Sequence, residues 1–397
     1  MISIPDISAF DEKAWRELAA RAIEPNPFYE VDFLVPACRH LRNGKNVMLL
    51  VATKAGRFHA CLPVRTASAS GKLFWPVISS WVQNLYGSLG TPLVSPERAV
   101  EALRCLLATL RGDGRCRRVV VLESVGDDGP IASYLRRAAD DLGVTIGTYA
   151  PGERVVVRCQ EDNFDALPTR VKRERKARVR TWRRLCADWG HPAVLDRARD
   201  RDSATRFLAL EASGWKGRSG TAMASRTEDA AFYREVTARF VASHRLRMYS
   251  LEVGANRLAM QTSFWANRAL FVWKSAYDER FARYAPGAQL KLQVFDLARE
   301  DGVQWIDSCA DAINDHWPRL SHGRRRITTL AIGGRGPMHR PLLKLAVLLV
   351  DASGKLHRIS RTNFRYKINC ATRWPRRRSF LSQPETLQSH GALHDLG

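Results

Sequence analysis

A very apolar stretch at residues 269–273 is followed by a polar loop and then by Pro286-Gly287 at the start of a helical pattern. This order predicts a strand, a loop and a helix in succession, as in α/β proteins. A helix that begins at Pro and Gly presents backbone N–H groups without intrahelical partners at the positive end of its dipole. The segment therefore predicts a place where a phosphate or pyrophosphate can bind.

Strand and helix patterns follow one another in the same order in both halves of the chain. In the first half, predicted strands flank the turn Lys54-Ala-Gly-Arg57, and in the second half they flank Gly254-Ala-Asn-Arg257. The predicted strands are 47–52, 58–64, 118–124, 247–253, 258–265, 269–276 and 304–307, and the predicted helices are 96–110 (capped by Ser95), 131–142, 229–243 and 287–299. The pattern favours a duplicated α/β unit with mixed central sheets flanked by helices.

The domain organisation is predicted from turn and linker signals. The boundary between an N-terminal half, residues 1–150, and a C-terminal half, residues 151–335, is placed at Tyr149-Ala-Pro-Gly152. Gly333-Gly-Arg-Gly-Pro337 is a linker signal. Residues 336–397 form a basic C-terminal extension, in which 342–359 fits a helix or a hairpin and the end is expected to be frayed.

The composition is that of a globular protein with anionic partners. The 397 residues suffice for two domains, and 45% of them are hydrophobic. The formal net charge is +23, with a pI near 10.3. Such a charge indicates anionic partners, such as a phosphate-bearing small molecule, an acidic substrate, anionic lipid or nucleic acid, without choosing among them.

Neither a metal site nor a secretion signal is predicted. The eight cysteines show no CxxC or CxxH spacing, which argues against zinc and against a disulfide framework. His244, His316 and His322 lack metal-binding spacing as well. The first residues have neither a basic nor an apolar signal region, and the apolar stretch 342–350 is too short to span a bilayer. We expect a cytoplasmic protein without a metal; peripheral contact with an anionic membrane stays open.

Two blocks of sequence, Glu211-Ala-Ser-Gly-Trp-Lys-Gly-Arg-Ser-Gly-Thr221 and Lys274-Ser-Ala-Tyr-Asp-Glu-Arg-Phe-Ala-Arg-Tyr-Ala-Pro-Gly-Ala288, carry a family resemblance. They resemble the acyl-CoA-dependent GNAT N-acyltransferases, in particular the branch named after the cellulose-biosynthesis protein CelD. Asp307-Ser-Cys-Ala-Asp311, His316-Trp-Pro-Arg319 and Arg324-Arg-Arg326 are also similar to that branch. Pro286 stands where the first Gly of the usual GNAT pyrophosphate signature belongs.

The resemblance implies a tandem GNAT-like architecture. The first half would be degenerate or acceptor-binding. The second half would bind acyl-CoA, expected to be acetyl-CoA, and transfer the acyl group directly to an amine. An amino-sugar of polysaccharide metabolism is the acceptor that the branch suggests. Two alternatives stay open: a Fem-like aminoacyl-tRNA-dependent transferase, and a basic scaffold without enzymatic activity that binds nucleic acid or anionic lipid.

A cofactor site is expected around the start of the second-half helix. The residues assigned to it are Arg283, Pro286, Gly287, Ala288 and Gln289. Backbone N–H groups of residues 287–289 would bind the pyrophosphate, and the Arg283 and Arg280 side chains would add positive charge. The alternative is an ordinary helix start with Pro in the first turn.

Candidates for proton transfer follow from the chemistry of amine acylation. A neutral amine is needed, so a carboxylate must accept a proton, and Glu211 is the first candidate, with Asp278 and Asp307 as competitors. Tyr284 and Tyr277 are candidate acids for the departing thiolate; the alternative for both is aromatic packing. A Cys309 nucleophile is not expected, because direct transfer needs no acyl-enzyme.

Substrate contacts are expected from the loop Trp215-Lys216-Gly217, from Tyr277 and from Lys274. Lys274 follows an apolar strand, so either an ion pair with Asp278 or Glu211, or a contact with substrate, would offset its burial. A basic run spans residues 170–184. It fits a role near CoA or an anionic acceptor, a solvated surface, or binding to nucleic acid or membrane.

Overall fold

The computed structural model describes residues 2–3, 11–44, 47–66, 77–82, 86–111, 118–310, 317–336 and 339–362. Asp311 and His316 of the third sequence block lie outside these residues, as do Cys116, Cys370 and the basic extension beyond residue 362. Within the described ranges, no helix combines the length and apolar character needed to cross a membrane.

Ten helices are formed by the described residues. They are α1 (Glu12–Arg21), α2 (Val31–His40), α3 (Ala99–Arg111), α4 (Pro130–Asp141), α5 (Thr169–Trp189), α6 (Ser203–Ser213), α7 (Trp215–Arg218), α8 (Thr227–Ala242), α9 (Pro286–Glu300) and α10 (Arg340–Thr362). Short 3-10 turns follow several strands and helices, including Glu279–Tyr284 before α9 and Trp317–Arg319 before the last strand.

Thirteen strands belong to the same part of the chain. They are β1 (Ile2–Ser3), β2 (Met48–Lys54), β3 (Arg57–Thr66), β4 (Val77–Ser80), β5 (Leu93–Val94), β6 (Val119–Gly126), β7 (Thr145–Arg158), β8 (Ala193–Asp196), β9 (Leu246–Val253), β10 (Asn256–Ala266), β11 (Ala269–Tyr277), β12 (Trp305–Asp307) and β13 (Arg324–Gly333). They form one continuous sheet in the order β1-β2-β3-β4-β6-β13-β7-β12-β11-β10-β9-β8, with β5 paired to β3.

The same unit of three antiparallel strands, a helix and a parallel strand occurs twice. In the first half it is β2-β3-β4-α3-β6, where β4 and β6 are parallel. In the second half it is β9-β10-β11-α9-β12, where β11 and β12 are parallel. Parallel neighbours require a crossover, and α3 and α9 provide it. The predicted α/β fold, with tandem units and a mixed sheet flanked by helices, is confirmed.

Strands β7 and β13 join the two units. β7 pairs with β13 along residues 145–155 and with β12 through Val156, Val157 and Arg158. β13 comes from the end of the second half but lies between β6 and β7. The proposed division at residue 150 therefore falls within a strand, and the ranges 1–150, 151–335 and 336–397 stay predictions.

Helices cover both faces of the sheet. The largest apolar cluster packs α1, α2, α3, α4, α6 and α8 against one face. On the other face, α5 and α9 pack against β7 and β9–β12, and α10 packs against β4, β6 and β13. Burial of these faces removes apolar surface from water, which is the main source of folding free energy.

An aromatic cluster joins α2 and the turn before it to the second-half sheet. Phe33 makes edge-to-face contacts with Phe232, Phe264 and Trp273, at centroid distances of 5.4–5.9 Å. Phe28 contacts Phe264 and Phe271, each at 6.3 Å. Each such pair adds about 0.5–1.5 kcal/mol beyond area burial. The cluster ties the first half of the chain to the strand that leads into the predicted phosphate site.

Two local predictions are corrected. The helix expected at 96–110 begins at Ala99, because the Ser95 hydroxyl is buried and bonds the Glu97 carbonyl at 3.1 Å instead of capping the helix. The ambiguous stretch 342–359 lies within helix α10, whose buried residues Leu343, Ala346 and Val350 recur at helical spacing.

Candidate functional site

A cavity of about 650 Å³ opens at the start of helix α9, between α5, α6, α7 and strand β11. Its volume suits a medium-sized organic ligand. The lining residues are Glu174, Arg178, Leu210, Glu211, Gly214, Trp215, Lys216, Ser275, Ala276, Tyr277, Ala282, Ala285, Pro286, Gly287, Ala288, Lys291, Arg319 and Leu320. The cavity thus unites the two sequence blocks.

The cavity exists because strand β12 is short. β12 pairs with β11 only at residues 269–271 and ends at Asp307, whereas β11 continues to Tyr277. Among the described residues, the last part of β11 therefore has no strand neighbour on the β12 side. Ser275, Ala276 and Tyr277 from this part line the cavity. A ligand that enters here lies beside an unpaired strand edge.

The start of helix α9 presents one free backbone donor to the cavity. Ala285 adopts a left-handed conformation, with φ +51°, and Pro286 is the first helical residue. The N–H groups of Ala288 and Gln289 both bond the Ala285 carbonyl, at 2.9 and 3.0 Å. The Gly287 N–H bonds no described residue. Of the three predicted N–H donors, only that of Gly287 is therefore without a described partner, whereas those of Ala288 and Gln289 are bonded.

Pro286 and Ala288 line the cavity, but the side chains of Gln289, Arg283 and Arg280 have partners elsewhere. The Gln289 amide is buried and donates to the Arg178 carbonyl at 2.9 Å, which fastens α9 to α5. Arg283 pairs with Asp188 at 3.2 Å, and Arg280 pairs with Asp278 at 2.6 Å. None of these three side chains lines the cavity.

Lys291 supplies the positive charge that was expected from those arginines. It follows Gly287 by four residues, so both lie on one face of α9, and it lines the cavity. Its Nζ stands 4.7 Å from the centroid of the Trp317 ring. No carboxylate of a described residue pairs with it, and burial lowers its pKa to about 8, with a further contribution from nearby Lys216. Lys291 was not predicted from the sequence, although its helical spacing from Gly287 was a signal that could have indicated it.

Glu211 is a buried carboxylate on the cavity wall, 3% exposed. Its Oε1 accepts from Lys216 Nζ at 2.8 Å and its Oε2 accepts from the Met223 N–H at 2.8 Å. Lys216 Nζ also donates to the carbonyl of Ser275 at 2.9 Å. The pair fixes the loop after α6 against the unpaired edge of β11.

Helix α7 places a half-exposed tryptophan at the cavity mouth. Trp215 is 53% exposed and lines the cavity. Glu279, from the second sequence block, holds this turn: its carboxylate accepts from the Trp215 N–H at 2.7 Å and pairs with Arg218 at 2.7 Å. A side chain at Gly217 would meet the Ala212 carbonyl oxygen at 1.7 Å, so only glycine fits there.

Of the two tyrosines, only Tyr277 faces the cavity. Its ring lies beside Gly287, 3.9 Å from the position of a Cβ there, and its hydroxyl bonds no described residue. Tyr284 is 1% exposed, and its hydroxyl bonds Asp188, Arg283 and Trp189 at the far end of α5. The structure therefore does not bring Tyr284 to the site.

Lys274 lies away from the cavity lining. Its ammonium stands 4.5 Å from the centroid of the Tyr86 ring. Burial lowers its pKa to about 8, partly opposed by the negative charge of Glu211. Glu211 pairs with Lys216 rather than with Lys274, and Asp278 pairs with Arg280.

The other two candidate bases, Asp278 and Asp307, form ion pairs outside the cavity. The Asp278 side chain caps the turn before α9, and its hydrogen bonds with Arg280 lower the pKa of that carboxyl. Asp307 is fully buried and pairs with Arg154 at 2.6 Å and Arg325 at 3.4 Å. Next to it, burial raises the pKa of the Cys309 thiol well above its usual range, which makes it a poor nucleophile.

The basic run forms helix α5, which has two different faces. Glu174 and Arg178 turn toward the cavity and pair at 3.6 Å. The opposite face carries exposed basic residues three or four positions apart, and we call it the basic stripe: Arg170, Arg173, Lys176, Arg180, Arg183 and Arg184. It spans about 21 Å along the helix axis. No described acidic residue pairs with the arginines at 173, 180, 183 and 184.

Comparison with known proteins identifies the fold. The family model described as an acetyltransferase (GNAT) domain matches residues 173–319. No protein of curated function matches the chain.

Three solved structures share the fold at low sequence identity. FemX is 10% identical, covers 84% of this chain and 98% of its own, and has a TM-score of 0.55. The C-terminal domain of a putative lysylphosphatidylglycerol synthetase from Agrobacterium fabrum is 12% identical, with coverages of 86% and 95% and a TM-score of 0.52. A conserved protein of unknown function from Bacteroides thetaiotaomicron is 9% identical, with coverages of 82% and 97% and a TM-score of 0.50.

All but one of the cavity-lining residues fall within the matched segment, Leu320 being the exception. The cavity, the free Gly287 N–H and the short β12 therefore belong to the part of the chain that matches. Residues 173–319 match the model of a GNAT acetyltransferase domain and lie within a larger mixed α/β fold.

Proposed function

We propose that the protein is an acyl-CoA-dependent N-acyltransferase that transfers an acetyl group directly to an amine. The observation that carries this proposal is the cavity at the start of α9, where the free Gly287 N–H and the Lys291 ammonium face the same space. A helix N-terminus with an adjacent cation suits the diphosphate group of CoA. The unpaired edge of β11 beside it suits the extended pantetheine arm.

In the proposed reaction, the amine nitrogen attacks the thioester carbonyl carbon, a tetrahedral intermediate forms, and the C–S bond then breaks to give an amide and a thiolate. Glu211 accepts the proton that the nitrogen releases. It is the first choice because the cavity contains two described carboxylates, and Glu174 belongs to helix α5 at the outer wall. Lys216 orients the Glu211 carboxylate through their 2.8 Å ion pair.

Tyr277 donates a proton to the departing thiolate in this scheme. Its hydroxyl is free of described partners, and the residue lines the cavity on the edge of β11, where the pantetheine arm would lie. Tyr284, Asp278, Asp307 and Lys274 receive no chemical role, because their side chains lie outside the cavity lining. Trp215 forms the flat wall at the mouth, where the acceptor enters.

The acceptor we propose is an amino-sugar of polysaccharide metabolism. This rests on the resemblance of the two sequence blocks to the CelD-like branch. An exposed tryptophan at a cavity mouth supports the choice, since a flat aromatic face packs well against the apolar face of a sugar ring.

Calorimetric titration with acetyl-CoA tests the proposal first. We expect saturable binding by the native protein and a loss of about 100-fold or more in Gly287→Glu, which places a negative charge at the anion site. Gly287→Ala is the matched control: its methyl group meets nothing closer than 3.9 Å, so binding should persist. Release of free CoA thiol with a panel of amino-sugars then identifies the acceptor. Absence of binding at millimolar acetyl-CoA would refute the proposed donor.

The basic stripe favours a second candidate, an aminoacyl-tRNA-dependent transferase. A row of exposed cations about 21 Å long, without acidic partners at four of its arginines, matches a polyanionic backbone better than one small donor. This candidate predicts tRNA binding that weakens steeply with salt and is lost when Arg173, Arg180 and Arg183 are replaced by Gln. Under the acyl-CoA proposal, the same variant keeps its acetyl-CoA affinity.

A further inference from the structure

We propose that Lys291 and the Gly287 N–H form a two-point site for a diphosphate ester, in which Lys291 is the charged ligand that sets affinity for the donor. The inference rests on the proposed function and deepens it. It assigns the phosphate-binding charge to the second turn of α9, and not to the arginines that precede the helix. Those arginines are held by Asp278 and Asp188 outside the cavity.

Helix geometry brings the two groups together. Residues four apart lie on the same face of a helix, and side chains lean toward its N-terminus. A lysine at position 291 therefore extends back along α9 toward Gly287. Both residues line the cavity, and the Trp317 ring, 4.7 Å from Nζ, supports the ammonium from the outer side. The two donors can thus bind neighbouring oxygens of one diphosphate.

The charge balance of the cavity indicates an anionic ligand. Its lining includes four basic and two acidic side chains. Both acids are already paired, Glu211 with Lys216 and Glu174 with Arg178. Lys291 pairs with no carboxylate in the described part of the chain. A partly buried cation without a counter-ion is unfavourable, and a bound anion would remove that penalty.

If Lys291 binds the diphosphate, ligand binding should be accompanied by proton uptake, which a purely structural lysine would not cause. The charged and titratable groups that line the space around Lys291 are Glu174 and Arg178 from α5, Glu211 from α6, Lys216 from α7, Tyr277 from β11 and Arg319 from the turn before β13. Burial lowers the pKa of Lys291 to about 8. A diphosphate beside it favours the charged form, so binding at pH 8 should take up as much as about half a proton.

The test compares native protein, Lys291→Met and Arg299→Met by calorimetry with three ligands: acetyl-CoA, acetylpantetheine, which lacks the diphosphate, and UDP-glucosamine. Arg299 is a control on the same helix, where it pairs with Asp296 at the surface. Lys291→Met should bind acetyl-CoA about 10- to 100-fold more weakly, with acetylpantetheine affinity unchanged. Repeating the titrations in buffers of different ionisation enthalpy at pH 8 should show proton uptake in native protein only.

Removal of a buried cation leaves folding intact or improved, so an unchanged or higher melting temperature of Lys291→Met is expected. Equal weakening of acetyl-CoA and acetylpantetheine would overturn the proposal, because the lysine would then shape the cavity and not bind phosphate. If Lys291→Met loses affinity for UDP-glucosamine but keeps its affinity for acetyl-CoA, Lys291 does not bind the donor, and the assignment is overturned. If native protein binds no acetyl-CoA, the proposed function fails. The phosphate site would still be supported if native protein binds inorganic pyrophosphate and Lys291→Met does not.

Discussion

Gly217→Ala is expected to inactivate the protein through one methyl group. Gly217 lies in the four-residue helix α7, between the buried Glu211–Lys216 pair and the exposed surface. A Cβ at this position would lie 1.7 Å from the Ala212 carbonyl oxygen and 2.6 Å from its carbon, both of them backbone atoms. Real Cβ atoms lie at least 3.0 Å from such neighbours, so the Cβ and the carbonyl oxygen would have to move apart by about 1.3 Å.

This movement displaces the neighbours of Gly217. Lys216 would lose its 2.8 Å contact with Glu211, and Trp215 would shift at the cavity mouth. Overpacking of this kind costs about 1–3 kcal/mol of stability. Misplacement of a catalytic or positioning group by about 1 Å costs on the order of 100-fold in rate. We therefore expect a modest fall in melting temperature and a much larger fall in acyl transfer.

The assay is release of CoA thiol, with thermal unfolding measured on the same preparations. Gly152→Ala in strand β7 is the matched control, because its Cβ would meet nothing closer than 3.9 Å. A Gly217→Ala protein with native kcat/KM would refute the reasoning. So would a loss of activity in Gly152→Ala of equal size.

Three further predictions follow from the placement of single side chains. Tyr277→Phe should lower kcat by about 10- to 100-fold, whereas Tyr284→Phe should leave kcat within about threefold, as measured by single-turnover acyl transfer. Asp307→Ala removes the buried carboxylate that Arg154 and Arg325 share and should lower the free energy of unfolding by about 3 kcal/mol in urea titrations, whereas Asp278→Asn, at an exposed pair, should change it by about 1 kcal/mol or less. Burial lowers the pKa of Lys274 to about 8, so below pH 8 the folded state bears the full penalty of a buried ammonium. The unfolded chain still holds that proton up to about pH 10, so this penalty fades between pH 8 and 10. The stability of Lys274→Met relative to native protein should therefore be higher at pH 7 than at pH 10, and a difference that does not change with pH in urea titrations would contradict this.

Local signals in the sequence sufficed for most of the elements that were predicted. The strand before α9 and the Pro286-Gly287 start were predicted because both depend on neighbouring residues alone. The resemblance of the segment that matches the GNAT domain model was recognised for the same reason, since its motif residues are close in sequence. Lys291 was missed, although it lies one helical turn after Gly287, because the arginines of the preceding loop offered a nearer source of charge.

Partnerships between distant residues could not be derived in this way. Asp307 was expected to face a cleft, but Arg154, which is 153 positions earlier, pairs with it. Tyr284 was expected at the site, but its hydroxyl donates a hydrogen bond to Asp188 at the end of helix α5. Strand order is likewise a property of the whole fold, and no periodicity in residues 324–333 indicates that they pair with β6 and β7.

The position of β13 has a consequence for how the chain is made. Strands β6 and β7 each lack a neighbour until residues 324–333 arrive between them. A nascent chain that has emerged only to residue 150 cannot complete its sheet, although most of the helices that cover it are already synthesised. Because contacts so far apart in sequence close late, the two halves should fold together and slowly, once residues 324–333 have emerged from the ribosome.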